Sequence, residues 1–526
     1  VHFFRWKTPH ERHMLSNMLT LWLLGILATL VLGIYFYATR YFKFWKRLGV
    51  PYVTPYPLVG SLKDVAFQKS NIGEFLKDVY KEHKGFRYVG FYSFDQPAIV
   101  VRDLDLIKNV LVKDSHNFAD HLLAMDEDLD PLGSKNLFTM KGPKWRHMRV
   151  NLSPTFTSGK MKNMFALVEQ CGQQFDKYLE NSVAQSSTVD MKNATSKFTI
   201  DVICSCAFGI ESNSLKNPNA EFTHQLKKTF EFDTLRSLKA TVAVFSPGLL
   251  KVLRMKLFEN SMYDFIRDAV WNTINYREKN GISRKDFLDI LRELRKKADN
   301  LKSDDPLYNL EDDYYVAQAF SFFTAGFETS STTMSFALYE LALQQEIQKR
   351  LREEICEVLH KHNNQVTYEA LQEMKYLDMV VNETLRKYPV LPFLDRKNIR
   401  SQEIPAPSGE GRTTIPAGIG VYIPLLGLHY DPEYYPEPEK FDPERFTDEN
   451  KQSRPNYTHM PFGDGPRTCI GMRFGLMQTK TGLTHILSRY QVEPCKETQI
   501  PLEFDKKSFL MSSKGGIHLK LNKTTI

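Results

Sequence analysis

Cysteine is scarce in this sequence, and its spacing excludes the commonest cysteine-based sites. The 526 residues include only six cysteines, and no two of them form a C-x-x-C pair. Structural zinc sites and thiol redox motifs usually contain such pairs, so we expect neither here. So few cysteines in so long a chain are typical of a protein in a reducing compartment.

A strong excess of charge of one sign is also absent. The net charge is +7 with a pI ≈ 8.8, and no basic run is interleaved with aromatic residues as in a nucleic-acid groove. We therefore expect no nucleic-acid partner, whereas a mild positive excess suits an acidic protein or anionic lipid. The 42% of hydrophobic and 25% of charged residues are ordinary for a globular protein, and the length allows one large domain or two lobes.

Charged residues are almost missing near the N-terminus. Between residues 15 and 42 only Arg40 is charged, and a helix of this length spans a hydrocarbon core of roughly 30 Å. A cleaved signal peptide would have a shorter apolar region that ends at small residues. This one ends in aromatics and is followed by Lys43, Lys46 and Arg47. Because such cations stay on the cytoplasmic side, residues 15–42 predict an uncleaved signal anchor, with the rest of the chain in the cytosol.

Two further segments flank the anchor. The sequence begins without methionine, and we interpret residues 1–13 as an extension that precedes a native start at Met14 or Met18. Residues 43–60 are first basic and then rich in proline, which predicts a stiff, extended hinge that holds the anchor apart from the domain. Residues 61–526 are expected to form the functional domain.

Helical patterns dominate from the hinge to about residue 385. Short strands are expected at 88–92 and 98–102, a turn at 153–159 and an amphipathic helix at 165–179. A proline-free run over 311–343 begins with acids and predicts a helix of roughly 50 Å, and a charged helix follows at 346–360. Proline, glycine and short β-like runs fill 390–424. The predicted fold class is mainly α with a small β-rich lobe and one N-terminal transmembrane helix.

Cys469 is the cysteine with surroundings suited to chemistry. Its loop contains an aromatic residue, three glycines and a cation: Phe462, Gly463, Gly465, Arg467 and Gly471. Glycine permits turns that a Cβ would forbid and lets a flat ligand approach the backbone. A helix is expected to begin near Cys469, and its unpaired N–H groups favour a charged sulfur that ligates a metal. A buried structural cysteine after a turn is the alternative.

The middle of the long predicted helix contains a glycine, which lowers helix stability by about 1 kcal/mol relative to alanine. Gly326 lies next to an acid and an alcohol, Glu328 and Thr329. Either a ligand approaches the helix closely at Gly326, or the helix kinks there and leaves a surface glutamate. The Thr329 hydroxyl can bond its own i−4 carbonyl or turn into a cavity beside the acid.

Two motifs together resemble the cytochrome P-450 superfamily. The pattern F-x-x-G-x-R-x-C-x-G around Cys469 resembles its heme-thiolate loop, and Ala-Gly-Phe-Glu-Thr-Ser at 325–330 resembles its oxygen-activation motif. The resemblance implies the P-450 fold and heme b bound through the Cys469 thiolate, against the loop residues named above and Ala325. It also implies that Thr329 donates a hydrogen bond to iron-bound dioxygen and that Glu328 helps to relay protons, while the thiolate assists O–O cleavage.

The same resemblance assigns a structural triad. Glu383 and Arg386 stand at i and i+3 on a predicted helix, and Arg445 follows in a Phe-Asp-Pro-Glu-Arg-Phe run. An E-x-x-R pair alone carries little information, because such pairs are common on helices. In the superfamily, residues at these three positions form a buried triad that supports the cysteine loop.

Contacts to the heme propionates are implied at four further side chains. Trp145 and Arg149 match the superfamily's W-x-x-x-R helix, although an ordinary amphipathic helix is the alternative for each. Arg396 and Arg467 fall at two more propionate positions. His121 falls where relatives often have arginine, so a propionate contact at that residue stays open.

The resemblance covers the chain from the anchor onward and is most similar to the insect microsomal family six, related to vertebrate family three. It implies an endoplasmic reticulum enzyme, bound to membrane lipid, that oxidises small lipophilic compounds such as xenobiotics, plant toxins, insecticides, lipids or hormones. O2 is the oxidant, and NADPH supplies electrons through NADPH-cytochrome P-450 reductase, with cytochrome b5 as a second partner. Five cations are expected to form a basic face for these acidic partners: Lys141, Lys144, Arg146, Lys160 and Lys480.

Substrate contacts are assigned by position in the pattern. Ser321, Thr324 and Ala325 are expected to face the space above the iron, and Val390 and Leu391 to line another wall. Residues 222–258 and 118–138 are expected to cap this space, with core packing as the alternative throughout.

Two rival classes remain beside the monooxygenase. One is a heme-thiolate isomerase or dehydratase of fatty-acid hydroperoxides, and the other is a non-enzymatic heme- or lipid-binding membrane protein. Thr329, Glu328 and Arg467 are all present, and together they favour the monooxygenase.

Overall fold

Helices make up most of the chain. The structure is a computed structural model that describes residues 9–217, 219–230, 233–245, 247–284, 286–298, 305–308 and 310–524. The described residues form these α-helices, in chain order: α1 (Pro9–Thr39), α2 (Phe44–Arg47), α3 (Lys63–Ala66), α4 (Ile72–Glu82), α5 (Leu104–Lys108), α6 (Pro131–Ser134), α7 (Gly142–Leu152), α8 (Ser158–Gln185), α9 (Met191–Ile203), α10 (Glu221–Phe230), α11 (Thr234–Phe245), α12 (Pro247–Val252), α13 (Asn260–Lys279), α14 (Phe287–Ala298), α15 (Asp312–Leu343), α16 (Gln345–Lys361), α17 (Tyr368–Glu373), α18 (Lys375–Lys387), α19 (Leu425–His429), α20 (Asp448–Ser453) and α21 (Met472–Arg489). Short 3₁₀ or π-helical segments add to them: Asn109–Lys113, Ser153–Phe156, Cys204–Phe208, Pro443–Phe446 and Gly465–Arg467. The prediction of a mainly α fold is confirmed.

The strands form small sheets. They are β1 (Tyr88–Ser93), β2 (Gln96–Val101), β3 (Thr188–Asp190), β4 (Leu394–Lys397), β5 (Gln402–Pro405), β6 (Arg412–Ile415), β7 (Gly420–Ile423), β8 (Tyr490–Pro494) and β9 (His518–Lys523). One sheet has the order β1-β2-β7-β4, in which β2 and β7 are parallel and the other neighbours antiparallel. The antiparallel sets β3-β9-β8 and β5-β6 complete the β structure. The predicted strands at 88–92 and 98–102 and the β-rich region at 390–424 are confirmed.

Helix α15 is the central element of the core. Its residues are buried on nearly every side between positions 314 and 342, and its buried hydroxyl groups bond backbone carbonyls within the helix or groups on α9 and α21. It packs against α9, α21 and α6. Glu311 is the N-cap residue, although its side chain makes no bond to the helix, and Asp312 and Asp313 lie in the first turn. Acids are favoured there by the positive end of the helix dipole. The predicted helix at 311–343 is confirmed to within one residue, and α16 confirms the charged helix at 346–360.

Three local predictions differ from the structure. The amphipathic helix expected at 165–179 is the middle of the longer α8, which begins at Ser158. The turn expected at 153–159 is the 3₁₀ segment Ser153–Phe156 followed by the first turn of α8. The helix expected near Cys469 begins at Met472 instead. The reason is that the Cys469 N–H donates back to the Phe462 carbonyl at 2.8 Å, which closes a loop in place of a helical turn.

The N-terminal helix extends beyond the predicted span. Helix α1 contains the segment Ser16–Thr39, with a mean hydropathy of 2.2, and among the described residues it is the one helix that length and composition allow to cross a membrane. Residues 9–13 of the predicted extension continue the same helix, and residues 1–8 lie outside the described chain.

The segment after the anchor is docked on the domain, contrary to the expectation of a spacer. Trp45 is fully buried, and its indole N–H donates to the Phe91 carbonyl at 3.0 Å. Its ring lies against Gly90, where a Cβ would stand 2.6 Å from it. Arg40 pairs with Asp95 at 2.6 Å. The end of α1 is thus fixed to the β1–β2 hairpin by direct contacts.

Candidate active site

The loop before α21 is shaped by two glycines and one backbone closure. Gly463 and Gly465 have φ of +71° and +72°, a region that side chains with a Cβ rarely adopt. At Gly465 a Cβ would also collide with the Leu111 carbonyl oxygen. Gly471 has an ordinary φ and is the N-cap of α21, and a Cβ there would meet no atom within 4 Å. The loop therefore leaves open room beside Gly471, next to Cys469.

The Cys469 sulfur lies deep in the protein and still has an open surface. The residue is exposed, although burial among protein atoms raises the pKa of its thiol. The Gly471 N–H and the Arg149 guanidinium oppose that rise, because both stabilise the thiolate. A side chain that is deep and open at once faces an internal space. A metal in that space would find a thiolate ligand at Cys469.

One face of α15 is open in the same way. Ala325 and Thr329 are exposed, whereas residues at most neighbouring positions of this core helix are buried. They stand at i and i+4 and so lie on one face. Helix α21, which starts just after Cys469, crosses α15 there: Gln478 Nε2 donates to the Gly326 carbonyl at 2.5 Å and to Ser330 Oγ at 2.6 Å. The open sulfur and the open face of α15 thus lie close to one helix crossing.

The structure gives Gly326 a different role from the two expected for it. A Cβ at Gly326 would stand 2.7 Å from Cδ1 of Ile203 in α9. The glycine therefore permits the close packing of two helices, and α15 continues through it without a break. The Thr329 hydroxyl donates to the Ala325 carbonyl at 2.8 Å, which is the first of the two arrangements considered for it.

Glu328 is neither on the surface nor free. It is buried, and its Oε2 lies 2.9 Å from Nζ of Lys192 in α9. Thr332 donates to its Oε1 at 3.4 Å, and Lys192 also donates to Ser331 Oγ at 2.9 Å. The carboxylate is thus directed toward α9, while Thr329 faces the open space. Lys192 belongs to no motif in the sequence, so pattern analysis missed it.

Buried guanidinium groups surround the Cys469 loop. Burial lowers the pKa of Arg149, Arg396 and Arg467, the last to about 9, because anionic partners are too few to offset the loss of water. Arg149 has no side-chain partner in the described chain. Arg396 donates one N–H to the Asp395 carbonyl at 2.7 Å. This set of cations suits a ligand that carries more than one negative charge.

Arg467 already uses most of its donors on the protein. Its guanidinium lies over the Trp145 ring, 3.8 Å from the centroid. Its Nε donates to the Ala119 carbonyl at 2.8 Å and its NH2 group to the Met140 carbonyl at 2.9 Å, with further bonds to the carbonyls at 137 and 138. Arg467 therefore connects the cysteine loop to residues 118–141 through hydrogen bonds. The indole N–H of Trp145 has no acceptor among the described residues.

His121 has its own buried partner. Its Nδ1 lies 2.9 Å from Oδ1 of Asp395, whose other oxygen accepts the Leu122 N–H at 2.6 Å. Its ring stacks on Phe138 with centroids 4.0 Å apart. Burial lowers the pKa of His121, although Asp395 opposes this effect. Asp395, the partner of His121, directly precedes Arg396 in the sequence. His121 therefore lies beside the cations of the site.

The three residues of the expected triad lie together. Arg386 Nε and NH2 donate to Glu383 Oε2 and Oε1 at 2.7 and 2.9 Å, and both side chains are fully buried. Arg445 Nε lies 3.5 Å from Glu383 Oε1, which also accepts the Asp442 N–H at 2.8 Å. Arg386 further donates to the His429 carbonyl at 2.9 Å. The cluster thereby ties α18 to the chain segment that precedes the cysteine loop.

The expected substrate positions are only partly open. Ser321 is half-buried and Thr324 is buried, with the Thr324 hydroxyl donating to the Phe320 carbonyl at 2.9 Å. Val390 is buried and Leu391 half-buried. The Val390 carbonyl accepts the Met511 N–H at 2.9 Å, which brings a C-terminal segment to this wall that the sequence did not indicate.

The expected basic face loses one member. Lys141, Lys144 and Arg146 are exposed, and Lys160 is half-buried. Lys480 is buried instead, where Nζ donates to the Leu371 carbonyl and pairs with Asp378 at 2.9 Å. The assignment of Lys480 to an exposed docking face is therefore wrong, since it lies on the buried side of α21.

These groups fit a heme. The described chain contains no cluster of three or more His, Cys, Asp or Glu side chains suited to a metal. A porphyrin would supply four nitrogen ligands. Its two propionates would meet Arg149 and Arg396, which have few anionic partners in the protein, and the Trp145 N–H. The open room beside Gly471 and Ala325 suits a flat group.

The comparisons with known proteins agree with this geometry. A family model described as cytochrome P450 matches residues 50–519. The chain is 48% identical over 500 residues to cytochrome P450 6j1 of Blattella germanica, covering 95% of this chain and 97% of that protein. It is 46% identical over 515 residues to cytochrome P450 6k1 of the same species, covering 95% and 97%. It is also 46% identical over 505 residues to the probable cytochrome P450 6a23 of Drosophila melanogaster, covering 95% and 99%.

Proposed function

Because the chain belongs to the cytochrome P450 family, in which it is a monooxygenase, we propose that it oxidises small lipophilic compounds, xenobiotics among them. The expected similarity to the insect family six is confirmed by its relatives. The observation that carries the proposal is the pairing of an open Cys469 sulfur with the open Ala325–Thr329 face of α15. O2 is the oxidant, and NADPH provides electrons through a reductase.

The protein holds the cofactor through three kinds of contact. When bound, heme supplies an iron centre for the reduction of dioxygen and the transfer of one oxygen atom to the substrate. Cys469 would ligate the iron, and the Gly471 N–H and Arg149 favour its thiolate form. Arg149, Arg396 and Trp145 would hold the propionates, and the triad around Glu383 supports the cysteine loop. Arg467 uses most of its N–H donors on backbone carbonyls of the protein, so its main role is to hold the cysteine loop in place.

Thr329 and Glu328 contribute to proton transfer from different faces of α15. The Thr329 hydroxyl lies on the open face and donates its one proton to the Ala325 carbonyl. In that arrangement its oxygen can only accept a hydrogen bond, and it must turn away from the carbonyl before it donates toward the open face. The Glu328 carboxylate is paired with Lys192. A proton for transfer toward Thr329 can reach this carboxylate at Oε1, which Lys192 does not occupy, or from the Lys192 ammonium itself. Lys192 thus belongs to the same relay.

Helix α1 and the exposed cations at the start of α7 suggest where the protein is located and which partners it binds. Helix α1 anchors the protein in the membrane of the endoplasmic reticulum. The contacts of Arg40 and Trp45 with the β1–β2 hairpin hold the domain next to the anchor, on the cytosolic side. The exposed cations Lys141, Lys144 and Arg146 lie at the start of α7 and suit an acidic reductase or cytochrome b5. Reductase binding should therefore weaken at high salt.

The test is a reduced, carbon-monoxide difference spectrum of membranes that contain the full chain. We expect the red-shifted Soret band of thiolate-ligated heme, and its loss in Cys469→Ser. Cys495→Ser, a half-buried cysteine outside the site, serves as the matched control and should keep the band. The same band in Cys469→Ser would refute the ligand assignment. Product formation from lipophilic compounds with added reductase and NADPH then tests the substrate class.

A further inference from the structure

The buried ring of His121 gives one nitrogen to the protein and keeps the other available. Its Nδ1 lies 2.9 Å from Oδ1 of Asp395. Burial alone would raise the pKa of Asp395, but His121 and the Leu122 N–H lower it, so the carboxylate is ionised and Nδ1 carries the proton. Nε2 has no hydrogen-bond partner among the described residues, and it is not one of the enclosed polar atoms that lack a partner. Nε2 therefore borders open space, where a second group can bind.

His121 lies where three elements of the site meet. The side chain of the preceding residue, Asp120, accepts from Arg467 of the cysteine loop at 3.4 Å and from the Gly142 N–H at 3.1 Å. Gly142 is the first residue of α7, the helix that carries two of the expected propionate contacts. The Asp120 carbonyl accepts the Lys397 N–H of β4 at 2.8 Å. The cysteine loop, α7 and β4 bring the cations of the site, and His121 is surrounded by all three.

The charges around His121 oppose each other. Burial lowers the pKa of His121, the Arg396 and Arg467 guanidinium groups lower it further, and Asp395 raises it without restoring the ordinary value. Within the protein alone the ring is therefore neutral at pH 7. An anion at Nε2 would offset the two guanidinium groups and favour the imidazolium. Further titratable groups of the elements packed around this pair are Asp120, Lys141, Lys397 and Tyr422.

Another histidine of the same protein shows what two carboxylates do to a buried ring. His485 lies between Asp176 and Glu169, with 3.0 Å from each ring nitrogen to a carboxylate oxygen. Burial opposes its charge, but the two carboxylates outweigh burial and raise its pKa to about 9. Only a ring that is protonated on both nitrogens can donate to two carboxylates at once. A carboxylate at Nε2 of His121 would reproduce this arrangement, with Asp395 on the opposite nitrogen.

We propose that His121 donates from Nε2 to a heme propionate as an imidazolium oriented by Asp395, so that the protein takes up one proton from solvent at His121 when it binds heme. The identity of the anion rests on the proposed function. The contribution of His121 to heme affinity is then fully present at low pH, and it is lost as the pH rises through the pKa of His121 in the heme-bound protein. The arginine that relatives often have at this position would keep its charge throughout.

Transfer of heme from the purified full-length protein to excess apomyoglobin, followed between about pH 6 and about pH 9, tests the proton linkage without reference to activity. We expect the rate of heme loss from the wild type to rise about tenfold over this range. His121→Gln should lose heme faster at the low end and lack this rise, and His121→Arg should lose heme slowly throughout. His116→Gln, at an exposed histidine of the same segment, is the matched control and should follow the wild type. An equal rise in the wild type and His121→Gln would overturn the proposal.

Asp395→Asn tests the orienting carboxylate through the position of the same pH profile. The amide oxygen of the new side chain can still accept the Nδ1–H of His121, but it supplies no negative charge. The rise in heme loss should therefore move to lower pH. A rise at the same pH as in the wild type would refute the role given to Asp395, because a purely structural contact would not shift the profile.

The wild type alone gives an independent test should the variants not fold. A rate of heme loss that does not change over this pH range would overturn the proposal without any substitution. The reduced, carbon-monoxide difference spectrum of the same samples separates this result from the proposed function. A wild type without the thiolate band would refute the proposed function, whereas a wild type with the band and a pH-independent rate of heme loss would refute the proton linkage only.

Discussion

Removal of the Glu383 carboxylate should be the most damaging single change outside the cysteine loop. Glu383→Ala deletes the acceptor of two Arg386 bonds at 2.7 and 2.9 Å and of the Asp442 N–H at 2.8 Å. Arg386 keeps two backbone carbonyls, at His429 and Lys440, and the rings of Tyr430 and Tyr435, but no anion. Because a fully buried guanidinium would lose its counter-charge, we expect a loss of about 3–5 kcal/mol. That is a large share of a typical unfolding free energy of about 5–15 kcal/mol.

The assay is the thermal midpoint of the purified protein together with the ratio of heme to protein. Glu383→Ala should give little heme-loaded protein and a clearly lowered midpoint. Glu357→Gln is the matched control, because it breaks an exposed pair with Lys361 of similar length, 2.7 Å, and should leave the thermal midpoint and the heme content as in the wild type. The double variant Glu383→Leu/Arg386→Met should recover part of the loss, since it removes both charges. A heme-replete Glu383→Ala protein with an unchanged midpoint would refute the reasoning.

Three further predictions concern separate parts of the molecule. Thr329→Ala should keep heme and divert electrons to hydrogen peroxide, so that the ratio of peroxide formed to NADPH consumed rises, whereas full coupling to product would contradict the assignment. Burial opposes the charge on His485, but hydrogen bonds to Asp176 and Glu169, each 3.0 Å long, outweigh it and raise its pKa to about 9. The pair of bonds should therefore contribute about 3 kcal/mol below pH 6.5 and lose that contribution as the pH rises through 9, and His485→Gln should flatten this profile of unfolding free energy against pH. Gly326→Ala should lower the free energy of unfolding in denaturant by about 1 kcal/mol, because the clash of the new Cβ with Ile203 exceeds the gain in helix propensity. An unchanged or raised free energy of unfolding would contradict this packing role.

Elements whose evidence is local were predicted well. Residues 311–343 have no proline and begin with acids, so a long helix was readable from the sequence and is observed as α15. The strands β1 and β2 were readable from short β-branched and aromatic runs. The glycine positions around Cys469 were readable too, because Gly463 and Gly465 adopt the positive φ that only a residue without a Cβ accepts freely.

What the sequence could not provide is the partner of each polar side chain. Lys480 looks like a surface cation by residue type, yet Asp378 and the Leu371 carbonyl neutralise it inside the protein. Arg467 stands two residues before the cysteine in the motif, and nothing local tells that its donors go to residues 119–140. The basic and proline-rich segment 43–60 suggested a spacer. The structure shows that it is docked on the domain, because Trp45 is fully buried and its ring packs against Gly90. Such pairings depend on tertiary contacts.

The acid–alcohol pair illustrates why this difference matters for chemistry. The motif places Glu328 and Thr329 side by side in sequence, but neighbours on an α-helix point about 100° apart. The structure resolves that separation: Thr329 faces the open space, and Glu328 faces Lys192, which lies 136 residues earlier in the chain. The acid of the motif is therefore paired with a cation outside it. The relay proposed above would involve two helices, α9 and α15, rather than one.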